Sequence, residues 1–190
     1  MGLALAVPGA LVIAAFLTDN AFSPAEDIGA YPPLCGTGHA TILAAQTVSS
    51  AALVPCVPEL PSGWRVGGAD VASGRSVFWL DSDQAGPRAV TITLSAACEV
   101  SGIQPEPSDQ PGTQRFDSPP IVGTRFTGLR IYTCPGGCAS YRFDFASGAS
   151  PLLIPGLDGL VALMPRVRLV NYVRAREGLA LCGRGAPCPR

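Results

Sequence analysis

Seven cysteines, at positions 35, 56, 98, 134, 138, 182 and 188 of a 190-residue chain, constrain what this sequence can fold into more than any other feature. That density is high for a reducing compartment, so Cys35, Cys56, Cys98, Cys134, Cys138, Cys182 and Cys188 are read as a disulfide framework. No two of them form Cys-x-x-Cys, the spacing that thioredoxin-type redox sites and the knuckles of structural zinc sites both use. An odd count leaves one thiol over. Cys35 and Cys56 bracket one apolar segment and are expected to staple its ends, while Cys182 and Cys188 close a Gly/Pro loop that pins the tail. Cys134-Pro-Gly-Gly-Cys138 either closes on itself, leaving Cys98 free, or gives Cys138 to Cys98 from a neighbouring strand, leaving Cys134 free.

The N-terminus agrees with export. Residues Met1 to Thr18 carry no charged side chain, and Leu3 to Leu17 are apolar apart from Pro8 and Gly9. A run of about 17 apolar residues is at the lower limit for crossing a bilayer of roughly 30 Å and is long for a signal peptide. Ala21-Phe22-Ser23 is the only neat cleavage site after it, and Pro24 obstructs processing there. A retained membrane anchor over residues 1–18 is expected, with cleavage and secretion as the alternative. From Asp19 to Arg65 there is no basic residue before Arg65, while Asp19, Glu26, Asp27 and Glu59 are acidic, so the body is expected outside the cytoplasm in a single-pass arrangement. Only Met1 and Gly2 precede the run, and a start codon upstream of Met1 is the expected source of the missing cytoplasmic charge.

Beyond a Pro-containing spacer over residues 19–34, residues 35–190 read as one extracytoplasmic α+β domain. His39 to Val54 is an Ala-rich helix candidate. Trp64 to Val71, Ser76 to Leu80 and Ala89 to Ala97 are strands separated by turn residues, an antiparallel meander. Val90, Ile92 and Leu94 alternate with Thr91, Thr93 and Ser95, which predicts one covered and one wet face. Residues 101–120, punctuated by proline, read as a long loop. Thr124 to Thr133 and Ala139 to Phe145 form a hairpin through Pro-Gly-Gly, with Tyr141, Phe143 and Phe145 on one face. Leu160 to Glu177 closes the domain as a helix or broken pair, Pro165 beginning the second piece and Gly178 stopping it. The fold expected is thus a membrane helix followed by an antiparallel sheet of about five strands flanked by one or two helices.

Catalytic and metal chemistry find little support. The single histidine, His39, lies four residues from Cys35, but Gly36 and Gly38 make a helical thiolate–imidazole pair unlikely to form, and no Gly-x-Ser-x-Gly elbow exists. Asp81-Ser-Asp83 has part of a calcium loop without its third acid or distal Glu. Two-carboxylate hydrolysis through Asp144 with Asp117 or Asp158 is the enzymatic alternative, and no cofactor is implied.

Charge is uneven. Residues 1–110 hold 3 Arg against 10 acids, net −7, and residues 111–190 hold 10 Arg against 4 acids, net +6. Overall the charge is −1, which argues against nucleic acid as a partner. Six Arg follow residue 160 (Arg166, Arg168, Arg174, Arg176, Arg184 and Arg190), and the helical ones, if gathered on one face, would meet an anionic wall polymer or lipid headgroup. All 13 basic residues are Arg, which points to a GC-rich, bacterial source rather than to site chemistry.

The segments Leu34-Cys-Gly-Thr-Gly-His-Ala40, Leu60-Pro-Ser-Gly-Trp64, Pro135-Gly-Gly-Cys138 with Tyr-Arg-Phe-Asp144, and Leu181-Cys-Gly-x-Gly-Ala-Pro-Cys188 resemble uncharacterised membrane-anchored proteins of actinobacteria over most of the chain. The resemblance implies an envelope location and lends no catalytic residue. Two function classes follow: a non-catalytic binding or structural module of the cell envelope, contacting a polymer, a lipid or a protein, and, second, an envelope hydrolase using acidic residues.

Overall fold

Alternating apolar and polar side chains dominate residues 64–145, and the computed structural model, which describes residues 38–182, turns that alternation into a sheet. The order of elements is α1 (His39–Thr47), β1 (Leu53–Cys56), β2 (Trp64–Ala72), β3 (Arg75–Ser82), β4 (Gly86–Ser95), β5 (Gln104–Glu106), β6 (Gln114–Val122), β7 (Phe126–Cys134), β8 (Gly137–Asp144), a 3-10 segment (Pro151–Gly159), β9 (Ala162–Pro165) and α2 (Arg166–Glu177). The architecture is α+β. Seven strands form one antiparallel sheet in the order β2-β3-β4-β8-β7-β6-β5, and β1 pairs with β9 as a separate ribbon. Two meanders, β2 to β4 and β5 to β8, meet where β4 pairs β8. Residues 96–103 therefore carry the chain from β4 to the far edge of the sheet.

The expectation of about five strands is too low, and the reason is proline. Residues 101–120, expected as loop, contain β5 and most of β6. Pro105 sits on the outermost strand, where a missing N–H need not break a central ladder, and Pro119-Pro120 fall in the register shift between Ser118 and Ile121. The first helix is shorter than expected: it ends at Thr47 with Val48 as its cap, and Leu53–Cys56 leaves it to pair with Ala162–Pro165. The last helix likewise begins only at Arg166, because Pro165 is extended (φ −54°, ψ 126°) and belongs to β9. Gly178 ends it in the left-handed conformation at φ 66°, as its position predicts.

One face of the large sheet is covered. Phe78, Leu80, Val90, Ile92, Leu94 and Phe145 are buried there against Ala44, Ala45 and Val48 of α1, Val54 of β1, Met164 of β9 and Leu169, Val170 and Val173 of α2. Gly137 permits the close approach of this layer, since a Cβ on it would lie 2.6 Å from that of Ala51. The preceding turn residue, Gly136, has φ 75° and abuts the Ser50 carbonyl.

Cysteine geometry follows from the strands. Cys138, opposite Ser95 in the β4–β8 register, is bonded to Cys98 just beyond β4, so the bridge ties the crossing connection to the sheet. Cys134 is the free thiol, and closure of Cys134 on Cys138 is ruled out. Cys56 and Cys182 are also disulfide-bonded. Pairings to Cys35 and Cys188 lie outside the described residues, as do the anchor over 1–18 and the spacer over 19–34. Among the described residues no helix is long and apolar enough to cross a membrane.

Candidate functional site

A single line drawn across the sheet locates the site. Register pairs join Gln104 of β5, Asp117 of β6, Arg130 of β7, Tyr141 of β8, Ile92 of β4 and Phe78 of β3 on the covered face. The next line joins Glu106, Arg115, Tyr132, Ala139 and Leu94. The centre of each line is apolar and buried. The β5–β7 end is charged.

At that end Asp117 receives both arginines. Arg115 donates to it through Nε and Nη2, and Arg130 through Nε at 3.0 Å, with Nη2 at 3.2 Å. Arg115 also lies 3.6 Å from Asp109, whose Oδ1 accepts the Tyr132 hydroxyl at 2.7 Å. Burial raises the Asp117 pKa, but the hydrogen bonds and charges of Arg115 and Arg130 outweigh it, and the carboxyl lies below its ordinary 3.8. Burial, and then the bond to Asp109, push the Tyr132 phenol well above its usual value. Asp117 is held ionised and Tyr132 protonated.

Beside this network opens a pocket of about 470 Å³, within the range of small-ligand sites. Gln104, Glu106, Asp117, Ser118 and Arg130 form its polar side. Phe126, Leu129, Phe143, Leu157, Pro119 and Pro120 form its apolar side. Gly128 makes the space between them: a Cβ there would stand 3.5 Å from the Phe143 ring and 3.9 Å from Phe126. The helical layer stops short of this corner, and Leu157 of the 3-10 segment closes one wall.

Of the carboxylates singled out by sequence, Asp117 lies in this site, the side chain of Asp158 is outside what the structure describes, and the others lie elsewhere. Asp144 faces away from Asp117, because β8 places Arg142 and Asp144 on the opposite side from Tyr141 and Phe143, and it pairs with Arg125 at 2.8 Å. Asp81 and Asp83 share Arg65, at 3.6 and 2.9 Å, and Asp81 also accepts the Arg88 amide. Among the described residues no three metal-ligating side chains converge. Of the helical arginines, Arg166 is only 3% exposed and cannot meet a polyanion: it donates to the carbonyls of Ala45, Val48 and Cys182. Arg168 is half-buried, while Arg174 and Arg176 are exposed in the last turn, two residues apart and so on different faces. Sequence reading missed Gln104, Glu106, Phe126, Gly128 and Arg130. The available signal was Arg115-x-Asp117 and Arg130-x-Tyr132, a period of two that proline obscured.

No family model matches the chain, no curated protein matches it, and no solved structure matches it.

Proposed function

We propose that this protein is a non-catalytic binding module of the bacterial cell envelope, of the actinobacterial kind, held at the membrane by residues 1–18 with its body outside the cytoplasm. The observation that carries the binding reading is the pocket at the β5–β7 corner, open, amphipathic and floored by a charge network already at rest. The carboxyl pKa of Asp117 is lowered, so it is not poised as a general acid, and Asp144 lies on the other face. Glu106 is the carboxylate that shares the pocket with Asp117, and release of fragments is what would show the two acting as a pair. Four disulfide-bonded cysteines among the described residues support an oxidising compartment.

Co-sedimentation of the full chain with isolated envelope material tests the proposal. Retention in the pellet without release of soluble fragments is expected. Fragment release that disappears in Asp117→Asn identifies the hydrolase instead, and failure to sediment overturns the binding reading. Topology is tested by a reporter fused at Arg190, active only outside the cytoplasm. A soluble product beginning near Pro24 would show cleavage of the anchor.

A further inference from the structure

We infer that the β5–β7 pocket takes an uncharged carbohydrate, one or two rings of a neutral glycan. This rests on the binding-module reading and gives it a ligand class. A sugar ring has an apolar C–H face and a rim of hydroxyls that each donate and accept. The pocket has the same division. Phe126, Phe143 and Leu157 offer the apolar surface, while Glu106 accepts, Arg130 donates, and Gln104 does both.

Charge selects against the other ligands. Arg115 and Arg130 balance Glu106 and Asp117 at this corner, so an anion meets no net positive field and must displace Asp117 from its arginines. A cation gains little from Asp117, whose charge both guanidiniums already balance. An acyl chain would cover the polar wall without bonding it and leave each of its polar groups unsatisfied. A neutral polyhydroxyl ligand meets none of these penalties. The floor is also fixed in advance, because Asp117 holds Arg115 and Arg130 before any ligand arrives.

Gly128 supplies the test. Its backbone is outside the left-handed region, and a Cβ there would meet Phe143 and Phe126 at ordinary contact distance. Gly128→Val, a β-branched residue suited to a strand, therefore adds its methyls to the pocket, with the melting temperature as the check on strain. Amide NMR spectra of the full chain in detergent are titrated with cellobiose, maltose and N,N′-diacetylchitobiose, with inorganic phosphate, decanoate and a neutral tetrapeptide as comparisons. At least one disaccharide is expected to shift the amides of residues 104–106 and 126–130. Gly128→Val should weaken it tenfold or more with the melting temperature retained, and Glu106→Gln should weaken it several-fold. Disaccharide shifts that persist unchanged in Gly128→Val overturn the site. Wild-type protein that sediments with envelope material yet ignores every disaccharide overturns the sugar assignment and leaves the binding module standing. Shifts from decanoate or the tetrapeptide alone do the same. No sedimentation and no shift with any probe overturn both.

Discussion

Cys134 and Cys138 lie at the turn of one hairpin, with three residues between them, and face opposite sides of the sheet. Cys134 pairs Gly137 across the hairpin and shares the side of Tyr132, whereas Cys138 pairs Thr133 and Ser95 on the other. Strand alternation therefore separates two thiols that sequence spacing brings together. Alkylation of the native protein without reduction should add one label, at Cys134, and Cys134→Ser should abolish it with little change in stability. Cys98→Ser should cost about 2–4 kcal/mol, since the bridge closes a loop of 40 residues' separation. Five or more labels on the wild type would mean reduced thiols, and would refute both the bridges and the export assignment.

The Arg115–Asp117–Arg130 network sets an acid limit. The folded pKa of Asp117 lies below its ordinary 3.8, so its contribution is fully present above that value and is lost as pH falls through the folded one. Asp117→Asn removes the charge and leaves two largely buried guanidiniums facing each other, at about 2 kcal/mol near neutrality. Urea midpoints from pH 2 to 7 should therefore start lower and fall less steeply in the variant. Parallel curves would show that the ion pairs contribute nothing.

Two tyrosines in tilted ring contact, Tyr132 and Tyr141, should respond oppositely to loss of a hydroxyl. Their rings lie 5.4 Å apart, yet the Tyr132 hydroxyl donates to the Asp109 carboxylate, whereas the Tyr141 hydroxyl is buried with no hydrogen-bond partner among the described residues. Tyr132→Phe leaves Asp109 short of a donor and should cost about 1–2 kcal/mol. Tyr141→Phe removes a desolvated hydroxyl and should be neutral or stabilising by up to about 1 kcal/mol. Denaturant unfolding of the two variants decides it, and equal losses would refute the difference.

Sequence made the middle of the sheet legible because burial there is strictly alternate. Val90, Ile92 and Leu94, and Tyr141, Phe143 and Phe145, all lie on the covered face as their period of two requires. The edge was not legible. Arg130 lies in an expected strand, but its partner Asp117 falls in a proline-rich stretch that reads as loop, so neither their pairing nor the strand β5 that carries Gln104 and Glu106 alongside leaves a local trace. The same holds for Leu53–Cys56, whose ladder partner lies beyond residue 160. The pocket itself depends on what Gly128 lacks, and a missing side chain has no periodic signature.

Arg166 gives the largest effect expected of any single charged residue. Its guanidinium reaches the carbonyls of Ala45 and Val48 at the end of α1 and that of Cys182 beyond α2, so one fork joins both helices and the tail. Burial pulls its pKa down, and among the described residues no carboxylate offsets that cost, so carbonyl dipoles hold the charge. Arg166→Ala should cost about 3 kcal/mol by orphaning several carbonyls and leaving a cavity. Arg166→Lys should recover little, because a point ammonium cannot span carbonyls on separate elements as a planar fork does. Arg174→Ala and Arg176→Ala, both exposed, should stay within about 0.5 kcal/mol. Thermal and denaturant midpoints of the four variants test the ordering, and a tolerated Arg166→Lys would show that charge, rather than the fork, ties α1 to the tail.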